Sequence, residues 1–198
     1  NKNKNKTIIF TGKLNSSKGY DIFLIAIRKI LDKYKSWNAI AVGNEPREKY
    51  NICHDRLKVF NWKKHSEILS LYDKSSISVV PSKWDEPFGR TAMESAAYGC
   101  ATITSNNGGL SETFNNELYL KKTTSDELYK SINKLITDKS FLKKIQKKNF
   151  SNVIHKLSKK VNKLDKIKNF FLFDTLNFFK NKNKKILHIS TFDERNNH

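Results

Sequence analysis

The sequence predicts an α/β fold: an open parallel sheet with helices on both faces, followed by a helical extension at the C-terminal end. Three observations carry that prediction. Short β-branched and apolar runs alternate with longer segments whose apolar residues recur at helical spacing. Glycine or proline punctuates the strand ends, as at Gly12, Gly43 and Pro81. A polar, Gly-containing loop joins the first strand to the first helix, the unit whose carboxyl edge binds ligands in open parallel sheets.

Asn1 to Lys6 alternates Asn and Lys with nothing to bury, so residues 1–6 are expected to be a disordered linker. Thr7 to Thr11 reads as the first strand. After the loop to Gly19 comes a helix from Tyr20 to Tyr34, with Ile22, Phe23, Ala26, Ile27, Ile30 and Leu31 on one face. Trp37 to Gly43 and Leu57 to Phe60 are the second and third strands, and a helix from Ser66 to Tyr72 follows. Between them Trp62 is read as a partly buried packing residue, with stacking of its ring on a base as the less favoured alternative. His65 has no Asp, Glu or Cys at ligand spacing and is read as a surface histidine.

The most informative stretch is 76–99. Ser76 to Val80 is a buried strand ended by Pro81, and a helix begins between Phe88 and Arg90 and stops at Gly99. Glu86 therefore sits in the loop at the strand's carboxyl end, and Glu94 lies one turn into the helix. Between them the backbone N–H groups of Phe88, Gly89, Arg90 and Thr91 are placed to form an anion site, helped by the helix dipole. Two carboxylates that accept from hydroxyls, flanking a phosphate cradle, suit a sugar nucleotide. Ala101 to Thr104 is the fifth strand. Gly108-Gly109 is read as giving the backbone room near a ligand, and Glu112 as a cap or brace. A short strand at 117–120, a helix from Thr124 to Asp138 and another over 140–152 complete the layout.

The run Glu-Pro-Phe-Gly-Arg-Thr-Ala-Met-Glu at 86–94 resembles the E-x7-E signature of retaining GT-B glycosyltransferases of family 4. Gly99 to Thr104 and Gly108-Gly109-Leu110-Ser111-Glu112 are similar to that family's next strand and its Gly-Gly-x-x-Glu loop. Gly12 to Gly19 is similar to its first-strand loop, where Arg-x4-Lys grips the diphosphate. Here Lys13 stands in the arginine's place and keeps the charge without the planar fork. The resemblance covers roughly residues 7 to 140. It implies a Rossmann-like nucleotide-sugar-binding domain over 7–155, the C-terminal half of a GT-B fold, with no metal needed for the diphosphate. It also implies that Gly12, Lys13, Lys18, Glu86, Phe88, Gly89, Arg90, Thr91 and Glu94 bind the nucleotide sugar. Lys18, Lys13 and Glu86 are its implied catalytic residues. In this reading Glu86 accepts from donor-sugar hydroxyls and Glu94 from ribose hydroxyls. Arg90 stands where the family commonly has an apolar residue, and either touches phosphate or points to solvent.

Composition bounds the rest. A chain of 198 residues is too short for two domains of ordinary size, and its sole methionine is Met93, so the expectation is a fragment lacking its N-terminal GT-B partner domain. Cys53 and Cys100 make no disulfide framework and no apolar run approaches the ~20 residues of a membrane span, which predicts a cytoplasmic protein, with peripheral contact at the inner membrane face left open. Residues 1–120 hold 18 basic and 12 acidic side chains, and residues 121–198 hold 20 and 7. That basic excess fits either the Lys/Asn-rich composition of an AT-rich genome or an anionic membrane surface.

Leu157 to Phe179 suggests a basic amphipathic helical extension over 156–180, crossing back onto a partner domain or lying on a membrane. Residues 181–198 read as a linker and the first strand of a truncated following domain.

The reading is a donor-binding domain for retaining transfer of a hexose-type sugar from a nucleotide-diphosphate sugar. The acceptor is a glycan or a lipid-linked molecule: lipid-linked glycans, lipopolysaccharide cores and surface polysaccharides all stay open. The alternatives are a non-catalytic nucleotide-binding module and, ranked lower, a basic nucleic-acid- or anionic-membrane-binding domain. The tail has Phe but no nucleic-acid motif, so no nucleic-acid partner is expected. A glycoside-hydrolase reading would need two carboxyls facing across a bond at ~5–9 Å. No Asp-x-Asp or His/Asp cluster suggests a metal.

Overall fold

The structure is a computed structural model that describes residues 4–110 and 117–164. Its elements are β1 (Asn5–Thr11), a single 3-10 turn (Ser16–Lys18), α1 (Tyr20–Lys33), β2 (Asn38–Val42), β3 (Leu57–Phe60), α2 (His65–Lys74) and β4 (Ser75–Val80). Then come α3 (Arg90–Ala97), β5 (Ala101–Ser105), β6 (Tyr119–Leu120), α4 (Ser125–Thr137) and α5 (Lys139–Leu164). Two compact units divide between Val153 and Ile154.

In the first unit the strands form a six-stranded sheet in the order β3-β2-β1-β4-β5-β6, with every pairing parallel. Alternation along each strand sorts side chains to two faces. Ile8, Phe10, Ile77, Val79 and Ile103 join Phe23, Ile27, Ile30 and Leu31 of α1 and Leu128, Ile132 and Leu135 of α4 in one apolar core. The other face, under α2 and α3, is richer in hydroxyls. There Thr11 Oγ1 bonds to Tyr72 OH, and Ser95 Oγ lies 3.0 Å from Thr102 Oγ1. Small residues on α3 (Ala92, Ser95, Ala96) let it lie close on the sheet. The sequence's Rossmann-like open parallel sheet, with helices on both faces, is the architecture observed.

Several boundaries differ from the sequence reading. β1 begins at Asn5, inside the expected linker, because Asn5 pairs with Ser75 and its carbonyl accepts from Ser76 Oγ at 2.6 Å. Just ahead of it, Lys4 Nζ donates to the carbonyls of Tyr72 and Asp73 at the end of α2, where the helix dipole favours a cation. The last strand shrinks to Tyr119–Leu120. The separate helices expected around 140–152 and from Leu157 onward are one continuous α5 up to Leu164, since no Gly or Pro interrupts 139–164. The basic extension beyond Leu164, the strand near Lys185 and the expected cap Glu112 lie outside the described residues.

Candidate functional site

β1 and β4 are the strands at which the sheet order turns: β1 leads to β2 and β3, β4 to β5 and β6. Loops leaving the carboxyl ends of two such strands diverge and open a crevice between them. Both candidate loops start there. The loop after β1 is Gly12 to Gly19. Gly12 donates its N–H to the Val42 carbonyl at 3.0 Å and has open space where a side chain would stand. Lys13 is exposed in the same loop. Asn15 caps the 3-10 turn by accepting from the Lys18 N–H at 3.1 Å.

That loop is fastened to the loop after β4. The Ser17 carbonyl accepts from the N–H groups of Lys83 (2.9 Å) and Trp84 (3.1 Å) and from Ser82 Oγ (3.3 Å). From the other side, the Glu48 carboxylate accepts from the Ser16 N–H at 2.8 Å, and Glu45 accepts from Asn15 Nδ2 at 3.4 Å. Hydrogen bonds from the Arg47 guanidinium hold the Glu45 carboxyl down from its usual 4.5 to about 2. The Tyr50 hydroxyl, then the Ser16 N–H, lower that of Glu48. Both acids are therefore ionised braces of the Lys18 loop at neutral pH.

With the two loops joined, Lys18 Nζ meets Glu86 Oε1 at 2.6 Å. Their side chains are 29% and 17% exposed, so the pair stands at the surface of the crevice. The Glu86 backbone is fixed as well: it forms an isolated parallel bridge with Gly108, and its carbonyl accepts from the Gly109 N–H at 2.5 Å. A Cβ on Gly109 would lie 2.3 Å from the Pro87 oxygen, and one on Gly108 would lie 2.7 Å from the Glu86 oxygen. The pair therefore lets the 85–87 backbone lie close against it.

α3 follows at once. Phe88 is exposed ahead of it, and Gly89 caps it in the left-handed region (φ 72°). A side chain at Gly89 would be both strained and within 2.5 Å of Leu110 Cδ2. Arg90 opens the helix, Thr91 follows half-buried, and the first helical bonds run from the N–H groups of Ala92 and Met93 to the Gly89 carbonyl.

One turn in, Glu94 Oε1 accepts from Arg90 Nε at 2.7 Å and lies 3.0 Å from His65 Nε2. One expectation changes here: His65 is a partner of the second glutamate. Arg90, its side chain 57% exposed, also forms an ion pair with that glutamate on its own helix. Trp62, expected to be partly buried, is 56% exposed, because the loop after β3 carries it away from the core.

The structure thus brings Lys18 and Glu86 into contact and places Glu94 on the adjoining helix, with Gly12 and Lys13 in the loop that carries Lys18. The lysines, the start of α3 and the two carboxylates are a set that can take an anion next to hydroxyl groups. Residues 1–152 match the family described as Glycosyl transferases group 1. The chain belongs to that family.

Among its relatives, an uncharacterized glycosyltransferase of Methanocaldococcus jannaschii is 28% identical over 145 residues, 69% of this chain and 37% of its own length. The spore coat protein SA of Bacillus subtilis is 30% identical over 117 residues, 52% of this chain and 31% of its own. The chain therefore spans about a third of the length of these relatives. A crystal structure of the C-terminal domain of a group 1 family protein from Francisella tularensis has a TM-score of 0.67 at 24% identity, covering 78% of this chain and 87% of that one. An Anabaena protein crystallised with UDP-glucose has a TM-score of 0.66 at 20% identity, over 76% of this chain and 44% of its own. The fold is that of the C-terminal domain of GT-B glycosyltransferases.

Among the described residues, no group of three or more His, Cys, Asp or Glu side chains is placed to hold a metal ion. No described helix is long and apolar enough to cross a membrane.

Proposed function

We propose that this group 1 chain is the donor-binding domain of a retaining glycosyltransferase, which takes a hexose-type sugar from a nucleotide-diphosphate sugar to a glycan or lipid-linked acceptor. The observation that carries the reading is the contact of Lys18 Nζ with Glu86 at the sheet's switch point, with Glu94 on the adjoining helix. The UDP-glucose held by the Anabaena protein of the same fold supports it.

In this reading Lys18, Lys13 and the N-terminus of α3 face the diphosphate. As the glycosidic bond breaks, negative charge collects on the β-phosphate, and each well-placed donor stabilises it by about 3–4 kcal/mol. Lys18 is a mobile point charge that can leave Glu86 for a phosphate oxygen. Glu86, once released, accepts from hydroxyls of the donor sugar. Glu94 accepts from the ribose. Acceptor binding belongs to the part of the enzyme beyond this domain.

The test is a thermal-shift titration of the chain with UDP, GDP, ADP and their common sugar conjugates, with Glu94→Ala alongside. Selective stabilisation by one base, reduced in Glu94→Ala, is the expected result. Equal shifts in the variant and the wild type, or none with any nucleotide in a folded chain, would remove the reading.

A further inference from the structure

We propose that His65 is a positioning residue that aims the Glu94 carboxylate at a ribose hydroxyl and so gives the site its preference for ribonucleotides. The inference rests on the donor-site reading above.

Glu94 is 13% exposed and has two donors, and they differ in what they fix. Arg90 lies four residues earlier on the same helix, with a side chain 57% exposed. His65 is the first residue of α2 and reaches Glu94 from the far side of the β3–α2 corner. Among the described residues it is the donor that ties the carboxylate to a second element.

The corner that carries His65 is itself held. Lys64 N–H donates to Glu67 Oε2 at 3.0 Å, and Lys63 Nζ lies 3.1 Å from Glu67 Oε1. The ring, 34% exposed, is thus presented from a braced helix start.

Both donors converge on one oxygen, Oε1. With its proton on Nε2, the imidazole donates to Oε1 and fixes the plane of the carboxylate, so that Oε2 is the oxygen turned to a ligand. A carboxylate in that state accepts hydrogen bonds and repels phosphate. The part of a nucleotide sugar that suits it is a hydroxyl pair, and the ribose supplies one. Without His65 the carboxylate keeps Arg90 alone, on a long exposed side chain, and its acceptor direction loosens.

The experiment is calorimetric titration of the 198-residue chain with UDP and 2′,3′-dideoxy-UDP, and with the guanosine and adenosine pairs run beside them. Wild type is expected to favour the ribose form by roughly tenfold or more, the worth of a hydrogen bond to a charged acceptor. His65→Ala is expected to lose most of that preference, with the loss falling on the ribose form. His65→Gln, which keeps an N–H donor, is expected to retain part of it. A merely structural role for His65 would weaken both forms equally, and that result overturns the proposal. Preference lost in Glu94→Ala but intact in His65→Ala overturns the role of His65 and leaves the donor reading standing. No preference in the wild type with any base that binds removes the ribose role of Glu94 and this proposal with it.

Discussion

Glu86 and Glu94 are one residue type eight positions apart in sequence, yet they are held in different ways. Glu86 lies in a loop whose backbone is pinned by Gly108 and Gly109, while its carboxylate meets a flexible lysine from the 3-10 turn after β1. Glu94 lies on a helix, and its carboxylate is gripped at one oxygen by two donors from two helices. The first arrangement suits exchange. A partly exposed Lys–Glu pair is worth about 0.2–1 kcal/mol, so a phosphate can displace the carboxylate at little cost. The second suits a fixed acceptor. In the donor reading, the phosphate end of the crevice is adaptable and the nucleoside end is set in advance.

The largest expected effect breaks the exchangeable end. Lys18→Met removes the cation and is expected to lower nucleoside-diphosphate affinity by about ten- to a hundredfold, from the ~1.5–3 kcal/mol of a charge-assisted hydrogen bond. Calorimetric titration checks it, and an unchanged affinity would take Lys18 out of the site.

A smaller effect concerns the brace behind that lysine. The Glu45 carboxyl is held at about 2, below its usual 4.5, first by hydrogen bonds from the Arg47 side chain. A depressed folded-state value means that the stabilisation is fully present above 4.5 and lost as the pH falls toward 2. The melting temperature is therefore expected to drop across that acid window, and Glu45→Gln to flatten part of the drop. An identical acid profile in the variant would show that Glu45 does not brace the loop.

The features legible in the sequence are those written locally. The strand-loop-helix alternation, the Glu86–Glu94 spacing and the Pro81 and Gly99 boundaries each lie within a few residues of the signal that reveals them. The parallel sheet followed from these. What was missed depends on contacts between distant segments. His65 and Glu94 are 29 positions apart, and nothing around His65 in sequence marks a partner. The Ser17 carbonyl gathers the N–H groups of Lys83 and Trp84 and the Ser82 hydroxyl, a contact 65 or more positions apart in sequence that no local pattern encodes. Gly108-Gly109 was read as giving the backbone room near a ligand, and sequence did not say that the 85–87 backbone lies against the pair. In α5, polar residues around Ser151 and Asn152 break the apolar periodicity, yet helix hydrogen bonds continue where no proline or glycine stops them.

The most direct test of the exchange account is the affinity of Glu86→Gln for the free nucleoside diphosphate, measured by calorimetry against wild type. If Glu86 occupies Lys18 until phosphate displaces it, removing its charge frees the lysine. Diphosphate affinity should then rise by roughly two- to fivefold, the scale of a partly exposed ion pair, while the sugar conjugate loses its advantage over the free diphosphate. A fall in diphosphate affinity, or no change, would contradict the account, because Lys18 would not be passing from carboxylate to phosphate.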